Sequence, residues 1–143
     1  MPQVFETHRD PFTISTDSTR LDVDAIADML SRSYWANTRT REKLECALAH
    51  SLVFGLYDGS RQIGLARIIS DFAIFAYLCD LIIHEEYRDQ GLGKWLLESI
   101  HNYPDLQGLR RWTLVTRNAH GLYTQFGWTP LNAPERWMEK FNG

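Results

Sequence analysis

Ile83-His84-Glu85-Glu86-Tyr87-Arg88-Asp89-Gln90-Gly91-Leu92-Gly93-Lys94 is the stretch on which the reading of this chain turns. It joins an apolar run, Leu78 to Ile83, to a segment in which Leu92, Trp95, Leu96 and Ile100 line one helical face. A strand that turns into a helix presents unpaired backbone N–H groups to whatever lies in front of it. Gly91 and Gly93 lack a Cβ, so a ligand can approach the main chain closely and positive φ is accessible. The helix dipole favours an anion there, typically a phosphate. A lone G-x-G is also what any tight strand-to-helix turn would contain.

Two common phosphate motifs are excluded. The Walker pattern needs a hydroxyl residue after its lysine, and Lys94 is followed by Trp95. The dinucleotide fingerprint needs a third glycine where this chain has Leu96. What remains, an apolar strand leading through Arg88-x-x-Gly91-x-Gly93, closely resembles motif A of the GNAT acetyltransferase superfamily. A second segment follows. Trp112 to Thr116 reads as a buried strand, and Asn118-x-x-x-x-Tyr123-x-x-x-Gly127-Trp128 is similar to a second GNAT motif, with Trp128 in the usual Phe place. Ala119, Leu122, Tyr123 and Phe126 share one helical face, Asn118 is a natural N-cap, and Gly127 suits a C-terminal cap.

The chain has 143 residues, which fits one domain, and 44% of them are hydrophobic and 13% aromatic, enough for a sizeable core without staples. Cys46 and Cys79 lack metal-ligand spacing and read as free thiols in a reducing, cytoplasmic setting; no metal is expected. Residues 1–10 do not read as a signal peptide. The longest apolar run, Phe72 to Cys79, is too short to cross a bilayer, so no membrane role is expected. A net charge of −3 gives no general attraction to nucleic acid.

Along the chain, Phe12–Ser15 reads as a first, edge strand. Val23, Ile26, Ala27, Leu30 and Tyr34 follow helical spacing behind Asp22, and Thr40–Ser51 reads as a second helix. Leu52–Tyr57 and Gln62–Ser70 flank Asp58-Gly59, a hairpin signal. Ala76–His84 is the next strand, followed by a helix from Gly91 to about His101. Trp128–Leu131 and Arg136–Phe141 read as a closing pair of strands. The resulting fold class is α/β: a single GNAT-like domain over residues 1–143, with a central, splayed mixed sheet flanked by helices.

The resemblance implies transfer of an acetyl group from acetyl-CoA to the amine of a small molecule or protein by direct attack in a ternary complex. It assigns the pyrophosphate to the backbone of Arg88, Asp89, Gln90, Gly91, Leu92, Gly93 and Lys94. Main-chain groups of Leu81, Ile82 and Ile83 would bond the pantetheine arm like an added strand, helped by Asn118. A backbone N–H near Ile83 would stabilise the oxyanion, and Tyr123 would be the acid that protonates the leaving thiolate. Relatives often carry a Glu or His as general base at positions matching Tyr77 and Cys79, and neither residue suits that role. Asp80 is the carboxylate on this strand, but alternation aims it at the other sheet face unless a bulge intervenes, so water is an equal alternative as base. Tyr34, Trp35, Tyr77, Cys79 and His120 are candidate acceptor-pocket residues. Many relatives dimerise, so a homodimer is a further expectation. A CoA-binding module without catalysis is the competing reading.

Overall fold

The computed structural model describes residues 3–143 and shows one six-stranded sheet whose strands lie in chain order. The strands are β1 (Glu6–Arg9), β2 (Phe12–Ser15), β3 (Leu52–Asp58), β4 (Arg61–Ser70), β5 (Phe75–Ile83) and β6 (Arg111–Leu114). All neighbours are antiparallel except β5 and β6, which run parallel. A parallel pair requires a crossover connection. Here it is α3 (Leu92–His101), on the opposite face from α1 (Val23–Ser31) and α2 (Arg41–Ala49); α4 (His120–Thr124) follows β6.

The helices start where their caps dictate. Asp22 accepts from the Ala25 N–H at 3.1 Å, and Thr40 accepts from the Lys43 N–H at 3.2 Å. On α3 the apolar stripe is buried as its spacing predicts: Trp95, Leu96, Leu97 and Ile100 join Phe54, Ile63, Ile68 and Leu78 in one core. Each such side chain contributes roughly 1.5–3 kcal/mol on burial. Ile26, Leu30, Leu44 and Leu48 form the second core, under α1 and α2, with Val53, Leu65 and Ile82 from the sheet.

Three expectations need correction. Phe12–Ser15 is a strand but not the edge, because Glu6–Arg9 pairs outside it in full register. The polar composition of Glu-Thr-His-Arg, suited to an exposed edge, hid that strand from a search for apolar alternation. The closing strands at Trp128–Leu131 and Arg136–Phe141 do not form; past Gly127 the chain is irregular apart from a 3-10 turn at Pro134–Arg136. Pro130 and Pro134 interrupt the region, and proline removes the N–H that a ladder needs. Finally, α1 stops at Ser31, so Tyr34 lies in the connection to α2 and not on the helix stripe.

Two features position the site. Strands β5 and β6 pair only from Phe75↔Arg111 to Leu78↔Leu114, after which they part, leaving Cys79–Ile83 unpaired on that side. The second is a bulge in β5. Leu65 pairs with Ile82 and Arg67 with Cys79, so Asp80 and Leu81 together oppose Ala66. Asp80 carries φ of 51°, which makes room for the extra residue. Alternation is thereby reversed: Ala76 and Leu78 enter the α3 core before the bulge, Leu81 and Ile83 pack on it afterwards, and Ile82 faces α1 and α2.

Candidate active site

The turn after β5 is built to leave its amides available. A 3-10 turn at Glu85–Tyr87 is followed by Asp89 at φ 64° and Gly91 at φ 76°, the residue that opens α3. No side chain caps α3, so its first-turn N–H groups point outward unmet by a capping group. The loop is pinned from behind. Arg88 Nε donates to the Ile83 carbonyl at 3.0 Å, and the Tyr87 hydroxyl donates to Asp58 at 2.7 Å. A Cβ on Gly93 would meet only Ile83 Cγ1, at 3.9 Å. The protein itself therefore places no steric demand for glycine at 93, whereas a group lying against the backbone would. Arg88, Asp89, Gln90 and Lys94 are all exposed around this turn.

Tyr123 is 9% exposed and lines a cavity of about 390 Å³ together with Leu114, Thr116, His120 and Trp128. Burial raises its phenol above the ordinary value, with a smaller contribution from Tyr34, so the hydroxyl stays protonated and can donate. The ring packs edge-on to Trp128, with centroids 5.8 Å apart. Helix α4 spans five residues. Asn118 does not cap it: Ala119 takes the cap position, and its N–H bonds the Thr116 hydroxyl at 3.1 Å, leaving Asn118 exposed on the loop. Gly127, at φ 88°, lets the Trp128 N–H return to the Tyr123 carbonyl at 3.3 Å, as the C-terminal glycine signal predicts.

The opposite sheet face carries the remaining candidates. Tyr77 and Cys79 alternate with core residues Ala76 and Leu78 and so face α1 and α2. The bulge brings Asp80 to this face too, which simple alternation does not foresee. Its carboxylate accepts from Trp35 Nε1 at 2.8 Å, from Arg39 at 2.7 Å and from Arg67 Nε at 2.8 Å. Burial pushes its pKa up, but the hydrogen bonds and charges of Arg39 and Arg67 outweigh that and hold it below the usual carboxylate value. An acid so stabilised as an anion is a poor proton acceptor, and the role of base does not fit Asp80. Sequence reasoning missed the two arginines because neither lies in a recognisable motif.

Burial pushes the Cys79 thiol up to about 11, and its Sγ donates to the Arg67 carbonyl at 3.3 Å. That makes it a poor nucleophile. Tyr34 and Trp35 are partly exposed and pack edge to face at 5.1 Å. The Tyr34 hydroxyl accepts from the Arg117 N–H at 3.1 Å, and the Arg117 guanidinium lies 3.8 Å from the Tyr34 ring centre. This contact ties the α1–α2 connection to the loop before α4. His120 is exposed at the start of α4. The bulge does not fall at Ile83, where the oxyanion donor is expected. Ile83 pairs regularly with Gly64, and the irregular backbone lies at Asp80–Leu81.

The sequence and the fold both have matches among known proteins. Residues 49–130 match the model of the acetyltransferase (GNAT) domain. The chain belongs to the GNAT acetyltransferase family. It is 34% identical to a Gibberella zeae protein named "Putative acetyltransferase FG08082", with 80% of this chain and 77% of that protein aligned. It is 41% identical to a Xanthomonas campestris pv. campestris protein described as "a putative acetyltransferase belonging to the gnat family", whose crystal structure superposes with a TM-score of 0.87 over 99% of this chain and 94% of that one. The ribosomal-protein-S18-alanine N-acetyltransferase of Escherichia coli shares the fold at 23% identity, with a TM-score of 0.67 over 81% and 76% of the two chains. Among the described residues no cluster of metal-ligating side chains occurs, and no helix is long and apolar enough to cross a membrane.

Proposed function

We propose that this GNAT-family chain is an N-acetyltransferase that uses acetyl-CoA as acyl donor and an amine as acceptor. The observation that carries this reading is that β5 has no partner on its β6 side from Cys79 to Ile83 and runs on into an uncapped turn at Gly91–Gly93, while the phenol of Tyr123 is buried in the core that α3 covers. A long, flexible ligand with a phosphate at one end and a reactive carbonyl at the other has a use for each of these groups.

Acetyl-CoA, when bound, supplies an activated thioester. The chain's own residues do the rest. The α3 first-turn amides, with Arg88 and Lys94 beside them, hold the pyrophosphate. Main-chain groups of Leu81, Ile82 and Ile83 hold the pantetheine amides in the place a further strand would take, with Asn118 reaching in from the far side. A backbone N–H at the bulge, by Leu81, stabilises negative charge on the carbonyl oxygen. The Tyr123 hydroxyl delivers a proton to the departing sulfur. With Asp80 held by three donors and Cys79 kept as a neutral thiol, the amine loses its proton to solvent and attacks directly, with no acyl-enzyme on this chain. Tyr34, Trp35 and Tyr77 wall the acceptor side, and His120 stands at its rim.

The test is release of free thiol from acetyl-CoA in the presence of a panel of amines, run on the parent and on Tyr123→Phe. The parent turns over at least one amine. The variant binds acetyl-CoA with unchanged affinity and loses roughly 10²-fold in kcat, the lower end of the usual range for a general acid because a thiolate leaves fairly well unaided. Equal kcat in both proteins, with chemistry rate-limiting, removes Tyr123 from the mechanism. Tight acetyl-CoA binding with no acceptor turned over favours a binding module.

A further inference from the structure

We infer, building on the acetyltransferase reading, that the acceptor is a small amine carrying an anionic group, a carboxylate or phosphate, and that Arg39 and Arg67 are the residues that recognise it. The inference starts from charge balance on the α1/α2 face of the sheet. Two guanidiniums converge there on one carboxylate oxygen: Arg39 Nη1 lies 2.7 Å and Arg67 Nε 2.8 Å from Oδ2 of Asp80. The other oxygen of Asp80 is taken by the Trp35 indole N–H. One carboxylate offsets one guanidinium, so the cluster keeps a net positive charge. Cys79 and Tyr77 beside it do not change this, since burial raises both and holds them neutral.

The cluster is shielded from water but not closed. The side chain of Asp80 is 2% exposed, that of Arg67 11% and that of Arg39 23%. A partly shielded cation attracts an anion more strongly than one on the open surface. A guanidinium has five N–H donors. Arg67 commits Nε to Asp80 and Nη1 to Ser51, at 3.2 Å, while Arg39 commits Nη1 to Asp80. Their remaining donors meet no protein acceptor among the described residues, and none of them is sealed off from solvent. Planar donor forks with spare N–H groups suit a carboxylate or a phosphate, which can accept two parallel bonds.

The location ties this cationic patch to the chemistry. Arg67 pairs directly with Cys79 across β4 and β5, one residue before the bulge that carries the proposed oxyanion donor. Trp35, bonded to the same Asp80, stacks edge-on against Tyr34, and Tyr34 lies near enough to influence the Tyr123 phenol. Arg117, over the Tyr34 ring, adds a further positive charge on the rim. An amine placed beside Trp35 at the bulge would meet the guanidiniums that already bond Asp80. Asp80 fixes the forks; it does not take the proton.

The experiment uses amines of matched skeleton with and without the anionic group, compared per neutral amine present: an α-amino acid against its amide, and phosphoethanolamine against ethanolamine. Each is assayed for thiol release with acetyl-CoA and, separately, for binding by calorimetry to the CoA-loaded protein. The anionic member of a pair is preferred by roughly 10- to 100-fold in kcat/KM and in affinity, as for a hydrogen bond to a charged group. Arg39→Gln abolishes the preference while acetyl-CoA affinity stays at the parental value, and Arg39→Lys restores part of it. Arg39 is the residue to vary because Arg67 and Trp35 still hold Asp80 in that variant. Which pair gives the larger ratio distinguishes carboxylate from phosphate. Equal binding of charged and neutral partners, or a preference that survives in Arg39→Gln, overturns the inference. The acetyltransferase reading fails differently: acetyl-CoA does not bind, or no amine of either charge is turned over. In that last case charge-selective binding lost in Arg39→Gln still upholds the role of the arginines.

Discussion

Gly91 and Gly93 are two residues apart, yet they are glycine for different physical reasons. Gly91 adopts φ 76°, a conformation that costs any residue with a Cβ about 1 kcal/mol or more, so its requirement exists in the empty protein. Gly93 is helical and has open space where a Cβ would go. Replacing it with alanine should leave the melting temperature unchanged or slightly higher, because glycine is the poorer helix former by up to about 1 kcal/mol. Gly93→Glu should fold as well but lose acetyl-CoA binding, since a carboxylate would then stand against the pyrophosphate. Calorimetry alongside thermal melts separates the two effects. Parental acetyl-CoA affinity in a folded Gly93→Glu protein would mean that the phosphate lies elsewhere.

Strand β6 and helix α4 are held in place largely by an aromatic cluster at the end of α3. His101 is stacked on Phe126 at 5.8 Å, packs against Trp112, and accepts from Trp128 Nε1 at 3.0 Å. An imidazole that accepts there is neutral, and burial lowers its pKa below the ordinary 6.5. With a depressed folded-state pKa, protonation is easier in the unfolded chain. The stability linked to His101 is therefore complete above about pH 6.5 and is lost as pH falls through the lower, folded-state value. Chemical denaturation between pH 7 and 5 should show the parent losing stability while His101→Gln, weaker overall, loses less over the same interval. Parallel slopes would show that His101 is not the titrating group. This cluster was invisible in the sequence, where His101 marked only an approximate helix end. The elements that were legible had strong local signals: the Asp58-Gly59 hairpin, the α3 stripe, the Asp22 cap and the two motif segments. What was lost depended on partners distant in sequence, such as the polar β1 edge, the tail that forms no strands, and the arginines that neutralise Asp80.

In the whole molecule, the opening between β5 and β6 leaves the chain from Arg111 onward, under a quarter of it, hydrogen-bonded to the sheet by one short parallel ladder of four residue pairs. A ligand lying in that opening and touching both sides binds the closed arrangement better than any opened one. It must therefore suppress opening in proportion to its occupancy. Acetyl-CoA should slow amide exchange in residues 111–128 more than in β3 and β4, whose long ladders are already protected. Uniform slowing across the sheet would mean that these elements open only when the whole domain unfolds. The β5 bulge has a consequence of another kind, one of phase. Odd-numbered side chains before Asp80 look toward α1 and α2, and odd-numbered ones after Leu81 look toward α3. One inserted residue thus exchanges which side chains of the strand meet which core. Chemistry at position 80 can change within that scheme, but the count of residues cannot. Removing one residue there would send Ile83 and the glycine turn behind it into the opposite half of the molecule.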